Sequence, residues 1–152
     1  MRKRIISVIG GHDCKAEVEQ LAHNLGINLA KVGDILVTGG LTGTMSAVSR
    51  GFKMAGGSLT IGIIPSYDKS DANESVDIVI PTGLGFARNA LVVKTADVVV
   101  ALPGEAGTLS EIAYCLQFRI PVISLNSWDI KGVIKVNNIE EAIEEVKKLL
   151  GK

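Results

Sequence analysis

Short apolar runs alternate along this chain with stretches in which apolar residues return every three or four positions. The short runs predict β-strands and the spaced stretches predict amphipathic helices. The runs that predict strands are 5–9, 35–38, 59–64, 77–80, 97–102, 121–125 and a short seventh at 133–136. The stretches that predict helices are 14–32, 44–55, 87–95, about 109–116, and 139–150. Such alternation is typical of βαβ units and a parallel sheet.

The fifth of these runs, 97–102, carries no polar alternation after its first residue. A strand of that kind is buried on both faces, as in a parallel sheet that helices cover on two sides. The chain is 152 residues long, which is the size of one domain. We therefore expect a three-layer, Rossmann-like α/β fold with a mostly parallel sheet of six or seven strands, formed by a single domain over residues 1–152.

Polar and small residues next to the helical stretches predict where the helices begin and end. Asp13 is a candidate N-cap for the first helix, and Gly33 is a candidate terminator. Thr44 is a candidate cap for the second helix. The polar segment 66–75 has no periodicity and predicts a surface loop.

Charge and composition narrow the class of partner. Sixteen basic and sixteen acidic residues give zero formal net charge, and aromatic residues make up 4% of the chain. A nucleic-acid binder usually has a positive field or stacking aromatic residues, so no nucleic-acid partner is expected. No apolar run approaches the ~20 residues of a membrane span, and the basic N-terminus precedes too short an apolar run for a signal peptide. We expect a cytoplasmic protein without a membrane partner.

Two cysteines, Cys14 and Cys115, and two histidines, His12 and His23, lie at spacings that match neither a disulfide framework nor a zinc site. We therefore expect reduced thiols, no metal and no resident cofactor. Cys14, near a helix start, is either an activated thiol or a small helix residue. His12 is either a ligand contact or a surface-loop residue.

Glycine is the unusual component, with 17 residues, and four predicted strands end in glycine-bearing loops. These loops are Gly10–Gly11, 39–44, 83–85 and 103–108. Ligands of doubly wound sheets bind at the carboxyl ends of the strands, where glycine lets the backbone approach and a helix N-terminus attracts an anion. The alternative is that the glycines serve only tight turns. Neither a P-loop nor a Gly-x-Gly-x-x-Gly motif after the first strand is present.

We interpret these loops as the site of a phosphate-bearing small molecule, such as a nucleotide. The candidate ligand-binding residues are Gly10, Gly39, Gly40, Thr44, Gly104, Glu105, Gly107 and Thr108.

The segment Ala87-Arg88-Asn89 and the run from Ala96 through Pro103-Gly104-Glu105-Ala106-Gly107-Thr108 to Glu111 resemble a known signature. An arginine followed by Pro-Gly-Gly-x-Gly-Thr-x-x-Glu is typical of the Lonely Guy family. The related molybdenum-cofactor carrier proteins, and the wider group related to the DNA-processing protein DprA, share this region. The likeness spans nearly the whole chain and is strongest over 85–111.

This resemblance implies a modified Rossmann fold and a homo-dimer or higher homo-oligomer. It implies cleavage of the N-glycosidic bond of nucleoside 5′-monophosphates, giving a free base and ribose 5-phosphate. Arg88 and Glu111 match the family's catalytic arginine and glutamate, and Gly104, Gly107 and Thr108 match its phosphate loop. The competing interpretation is a non-catalytic carrier or sensor of a nucleotide or a molybdenum-pterin cofactor.

Each of the two catalytic candidates also has a structural interpretation. Thr108-Leu109-Ser110-Glu111 matches a capping box, in which the glutamate bonds back to the helix start. Arg88 alone is typical of a solvated helix-start residue. Trp128 and Asp129 are interpreted as loop or edge features.

One position departs from the family pattern. The second glycine of Pro-Gly-Gly is Glu105 here. A carboxylate within a phosphate loop repels phosphate if it faces the pocket, which puts phosphate binding and hydrolysis in question. We expect Glu105 to face the pocket.

Overall fold

The computed structural model describes residues 1–152 and contains one sheet of seven parallel strands. The strands lie in the order β4-β3-β2-β1-β5-β6-β7. Their bounds are β1 (Ile5–Ile9), β2 (Ile35–Thr38), β3 (Leu59–Ile64), β4 (Ile78–Pro81), β5 (Val98–Ala101), β6 (Val122–Leu125) and β7 (Ile134–Val136). Every neighbouring pair is parallel, which confirms the predicted sheet with the larger of the two strand counts.

Five helices cover the two faces of the sheet. Their bounds are α1 (Ala16–Leu29), α2 (Thr44–Met54), α3 (Asn89–Lys94), α4 (Ala106–Phe118) and α5 (Ile139–Leu150). Helices α1, α2 and α5 bury their apolar residues in one cluster of 19, and α3 and α4 contribute to a second cluster of 10. The three-layer α/β fold is thereby confirmed. None of these helices has the length and apolar character that a bilayer crossing requires.

The strand order locates the cleft of the molecule. From β1 the chain winds outward to β4, then returns to place β5 on the other side of β1. All four residues of β5 are buried, as its apolar run predicts. Because the connections leave β1 and β5 in opposite directions, their carboxyl-end loops separate and leave a crevice between them.

The structure corrects several predicted helix ends. Helix α1 begins at Ala16 with Lys15 as its N-cap residue, so Asp13 does not cap it, and it ends at Leu29, before Gly33. Helix α2 has Gly43 as its N-cap residue, at a φ of 66°, and Thr44 is its first residue. A side chain is strained at that φ, so glycine at position 43 fits the turn better than a capping threonine.

The predicted helix 87–95 is divided into two elements. A 3₁₀ turn spans Gly85–Arg88, and α3 follows from Asn89 to Lys94. A second 3₁₀ turn, Lys69–Asp71, lies within the predicted loop 66–75. The tighter turn at 85–88 directs Arg88 inward, towards the carboxyl end of the sheet.

Candidate functional site

A cavity of about 510 Å³ opens at the carboxyl end of the sheet, where β1 and β5 diverge. Its walls are the loops after β1 and β2, Pro65 after β3, the 3₁₀ turn 85–88, and the first two turns of α4. This volume lies in the range of pockets that hold a small organic ligand.

Arg88 lies in the wall of this cavity and is only 8% exposed. One terminal nitrogen donates to the Asn89 side-chain oxygen, and the other donates to the Gly39 carbonyl at 3.4 Å. Its Nε is buried without a protein partner. Gly39 provides the space, since a Cβ there would lie 2.7 Å from the Arg88 guanidinium. Burial lowers the pKa of Arg88, and nearby Glu111 opposes that effect.

Glu111 lines the same cavity from the second turn of α4 and is 7% exposed. It takes part in none of the ion pairs of the protein, so Arg88 and Glu111 face one space without pairing. Burial raises the pKa of Glu111 to about 8, even though Arg88 lowers it. Glu111 is therefore mostly protonated at neutral pH.

The capping-box interpretation of Glu111 is wrong. Helix α4 begins at Ala106, and its N-cap residue is Glu105 rather than Thr108. Thr108 is the third residue of the helix, which places Glu111 in the second turn and beyond reach of the cap. The Glu111 carboxyl group points into the cavity instead of closing the helix end.

The start of α4 presents unused hydrogen-bond donors. The backbone N–H groups of Ala106, Gly107 and Thr108 donate to no backbone acceptor. All three residues line the cavity. Such a helix start attracts an anion through its free N–H groups and its dipole.

Gly104 brings this loop close to the loop after β1. A Cβ on Gly104 would lie 2.0 Å from the Thr108 hydroxyl and 2.9 Å from the Gly11 nitrogen, so only glycine fits. The Gly11 N–H donates to the Pro103 carbonyl at 3.0 Å, which joins the two loops across the crevice. Gly104 itself does not line the cavity.

The loop at the start of α2 is different, because both of its threonines are already hydrogen-bonded to the loop after β1. Thr44 donates its N–H at 3.0 Å and its hydroxyl at 2.9 Å to the same Gly11 carbonyl. Thr42 donates its hydroxyl to the His12 carbonyl at 2.8 Å. The Gly40 N–H donates to the Thr38 hydroxyl, and the Gly40 carbonyl accepts from the Asn73 N–H. Neither Gly40 nor Thr44 lines the cavity.

The structure thus brings together most of the residues that the sequence predicted for the site. Those that line the cavity are Gly10, Gly39, Arg88, Glu105, Gly107, Thr108 and Glu111. Those that do not are Gly40, Thr44 and Gly104.

A polar relay that the sequence did not reveal supports the cavity wall. The Asn89 amide donates to the Ser110 hydroxyl at 3.2 Å, and Ser110 donates to the Gly107 carbonyl at 2.6 Å. This relay couples Arg88 to the first turn of α4. Its only sequence signal is the position of Asn89 next to Arg88.

Apolar side chains form another part of the cavity lining. Ile9, Leu41, Met45 and Pro65 line it, and Phe86 stands at its edge with 90% of its surface exposed. An exposed aromatic ring at the edge of a cavity provides a flat surface for a planar ligand. The position of Phe86 directly after a glycine loop was the available signal.

The mouth of the cavity carries His12, Asp13 and the exposed Glu105. Cys14 follows this group and lies outside the cavity wall. Burial, Glu19 and Asp13 all raise the pKa of the Cys14 thiol. The interpretation of Cys14 as an activated thiol is therefore wrong, since activation requires a lowered pKa.

Trp128, interpreted from sequence as a loop or edge feature, lies in the loop after β6 and contacts the α4 loop. Its indole nitrogen donates to the Gly104 carbonyl at 3.1 Å. Asp129 pairs with Lys135 on the surface at 3.2 Å.

Solved structures of molybdenum cofactor binding and carrier proteins match nearly the whole chain. The molybdenum cofactor binding protein of Rippkaea orientalis is 39% identical, with 99% of each chain covered and a TM-score of 0.91. The molybdenum cofactor carrier protein of Chlamydomonas reinhardtii is 35% identical over 99% of this chain and 100% of that chain, with a TM-score of 0.88. DNA processing protein A of Helicobacter pylori, at 19% identity and a TM-score of 0.71, shares the fold.

A curated relative has a different described activity. The cytokinin riboside 5′-monophosphate phosphoribohydrolase of Mycobacterium tuberculosis is 30% identical over 74% of this chain and 65% of the relative. The family model of the SLOG cluster4 family matches residues 3–150. These matches confirm the resemblance to the Lonely Guy and molybdenum-cofactor-carrier group. The chain belongs to the SLOG cluster4 family.

Proposed function

We propose that this protein binds and carries a phosphate-bearing small molecule with a planar ring system, of the nucleotide or molybdenum-pterin type. The observation that carries the proposal is the open start of α4, whose free N–H groups share one cavity with the buried Arg88. An arginine buried with an unpartnered Nε is costly unless a ligand completes its hydrogen bonds.

The polar part of the cavity suits the phosphate. The N–H groups of Ala106, Gly107 and Thr108 provide fixed donors, and the Arg88 guanidinium adds a positive charge. Charge-assisted hydrogen bonds of this kind are the strong ones. A protonated Glu111 adds a further donor rather than a repelling charge.

The apolar part of the cavity suits the ring. Met45, Leu41 and Phe86 provide apolar contact in the same cavity as the start of α4. A ligand with one anionic and one planar apolar end matches both parts, as a nucleotide or a pterin phosphate does.

Two observations favour carriage over hydrolysis. Breaking an N-glycosidic bond develops positive charge on the ribose, which a carboxylate stabilises and a neutral carboxyl does not. The raised pKa of Glu111, about 8, leaves most of it neutral at pH 7. The two similar cofactor-binding proteins also align over the full chain, whereas the phosphoribohydrolase aligns over part of it.

The decisive experiment measures binding and turnover in parallel. Calorimetric titrations with AMP and with molybdenum cofactor released from a denatured molybdoenzyme measure affinity, and chromatography of the AMP mixture measures free adenine. Tight binding without base release supports carriage. Absence of binding to both probes contradicts the proposal.

A matched pair of arginine variants tests the site. We expect Arg88→Met to weaken AMP binding by about ten- to a hundredfold, the equivalent of a lost charged hydrogen bond. Arg50→Met is the control, because Arg50 lies on the surface in an exposed pair with Glu19. Equal affinities for the two variants would contradict a role for Arg88 in the site.

Hydrolysis of nucleoside monophosphates is the second candidate, favoured by the meeting of Arg88 and Glu111 in one cavity. On this proposal Glu111 acts as a carboxylate, so base release rises with pH through about 8, and Glu111→Gln abolishes it. A pH–rate profile for adenine release tests this. A flat profile, or full activity of Glu111→Gln, removes Glu111 from the chemistry.

Self-association remains part of the proposal. Of the helix residues 90–93, Val92 and Val93 are fully buried within the subunit, and Leu91 is 40% exposed. On edge strand β4, Ile78 and Ile80 are also exposed. We expect light scattering to give the mass of a dimer or larger assembly. A monomer mass at micromolar concentration would contradict it.

A further inference from the structure

The loop that begins α4 has two consecutive carbonyl oxygens held by donors from other loops. The Gly11 N–H holds the Pro103 oxygen at 3.0 Å, and the Trp128 indole N–H holds the Gly104 oxygen at 3.1 Å. The first donor belongs to the backbone, so most substitutions at position 11 would keep it. The second donor depends entirely on the side chain of Trp128.

Because the peptide between Gly104 and Glu105 is planar, the contact from Trp128 to the Gly104 oxygen also fixes the direction of the Glu105 N–H. In a planar trans peptide the C=O and the following N–H point in opposite directions. The carbonyl of Gly104 points to Trp128, which lies outside the cavity wall, so the N–H of Glu105 points away from Trp128. That N–H donates to no backbone acceptor, and Glu105 lines the cavity.

Trp128 is itself fixed to the sheet. Its carbonyl accepts the Ser124 hydroxyl at 2.9 Å, and Ser124 is a buried residue of β6. The connection therefore runs from the sheet through Ser124 and Trp128 to the Gly104 peptide. A loop with glycine at this position has many backbone conformations available, so an external contact is needed to select one.

We propose that Trp128 is a positioning residue, which turns the Gly104–Glu105 peptide so that the Glu105 N–H joins those of α4 in holding the phosphate of the ligand. Trp128 itself does not touch the ligand. The inference rests on the proposed phosphate site at α4.

The variant that isolates the donor is Trp128→Phe, which keeps an aromatic ring and removes the N–H. We expect affinity for AMP to fall about three- to tenfold, the worth of one ordinary hydrogen bond. Affinity for adenosine, which lacks the phosphate, stays at the wild-type value. Asp129→Asn, at the residue next to Trp128, is the matched control. The Asp129 side chain forms only the exposed pair with Lys135, so both affinities should be unchanged.

The ratio of the two affinities separates positioning from the other roles of a tryptophan. An equal loss for AMP and adenosine would mean that Trp128 contacts the ring or only supports the fold, and it would overturn the proposal. No loss for either ligand would also overturn it.

A ligand-free measurement keeps this inference distinct from the proposed function. The ¹⁵N order parameter of the Glu105 amide should fall from about 0.85 in the wild type to below about 0.6 in Trp128→Phe. If wild-type protein binds neither AMP nor molybdenum cofactor, the proposed function fails, and this arm still decides whether Trp128 fixes the peptide. An unchanged order parameter would overturn that role.

Discussion

The loops that begin α2 and α4 are alike in sequence but differ in the hydrogen bonds that their threonines make. Both follow a buried strand, both are rich in glycine, and both contain a threonine near the helix start. In the loop before α2, Thr44 donates its N–H and its hydroxyl to the Gly11 carbonyl, and Thr42 donates its hydroxyl to the His12 carbonyl. In the loop before α4, the first N–H groups of the helix have no acceptor and face the cavity.

The difference shows that two similar glycine loops at strand ends have different roles: the threonines of one bind a neighbouring loop, and the helix start that follows the other lines the cavity. Through these hydrogen bonds the loop before α2 holds the loop after β1 in place. The loop after β1 in turn holds the Pro103 carbonyl through the Gly11 N–H. The threonines of the loop before α2 therefore support the cavity wall to which the start of α4 belongs.

A large loss of stability is expected from Gly43→Ala in the loop before α2. Gly43 has a φ of 66°, and its Cβ would lie 2.6 Å from the backbone of Gly11 and His12. Strain and overpacking together should cost about 2 to 4 kcal/mol in the free energy of unfolding. Urea denaturation measures this loss. Wild-type stability would contradict the close packing of the two loops.

The same kind of substitution at the start of α4, Gly107→Ala, should weaken ligand binding rather than destabilise the fold. The nearest atom to its Cβ is the Asn89 amide nitrogen at 4.0 Å, so the fold has room for it. We expect stability to be unchanged or raised by up to about 1 kcal/mol, since alanine favours the helix. The methyl group enters the cavity, and affinity for AMP should fall by about 1–3 kcal/mol. A titration with unchanged AMP affinity would show that phosphate does not lie at this helix start.

The fold could be predicted from the sequence because the pattern is strong. Each parallel strand is a compact apolar run, and β5 is apolar throughout because both of its faces are buried. Helix ends were less predictable. Asp13, Gly33 and Thr44 are typical terminal residues, but the structure closes these ends with backbone turns instead.

The site could be predicted only in part, because free donors are a property of three-dimensional packing. Thr44 and Thr108 stand at similar places in similar loops, and nothing local distinguishes them. Only the approach of the loop after β1 decides that Thr44 is consumed. The contact from Trp128 to Gly104 spans 24 residues, so no short motif contains it.

The start of α4 also differs from the loop before α2 because the ionisable Glu111 lies beside it, which gives ligand binding a pH dependence. Ionisation of Glu111 near pH 8 places a negative charge beside the phosphate. We expect affinity for AMP to fall several-fold between pH 7 and pH 9. Glu111→Gln should remove this dependence and keep the affinity of the protonated state. A wild-type affinity that does not vary with pH would contradict the position of Glu111 beside the phosphate.

Stability should change with pH for the same reason. The folded-state pKa of Glu111, about 8, lies above the ordinary value of 4.5, so the folded protein holds a proton that the unfolded chain releases. This contribution is fully present below about pH 4.5 and is lost as pH rises towards 8, by at most about 1.4 kcal/mol per pH unit. Thermal unfolding of wild type and Glu111→Gln across this window measures it. Parallel curves would refute the shift.

The smallest expected effect is that of Glu105→Gly, which restores the family glycine at the start of α4. Glu105 is the N-cap residue of α4 and is exposed at the cavity mouth. An exposed charge in water repels a phosphate by less than about 1 kcal/mol, and its loss also removes a favourable charge from the helix start. We therefore expect AMP affinity to rise about fivefold at most at low salt, with adenosine unchanged.

The salt dependence of this gain in AMP affinity shows whether the Glu105 carboxylate lies at the mouth or inside the cavity. Screening shortens the range of exposed charges from about 10 Å at 0.1 M to about 3 Å at 1 M. If Glu105 acts from the mouth, the advantage of Glu105→Gly over wild type disappears at high salt. A gain above tenfold that persists at 1 M salt would mean that the carboxylate turns into the cavity and displaces phosphate directly. The loop before α4 would then be blocked in the ligand-free protein, and its contrast with the loop before α2 would depend on whether a ligand is bound.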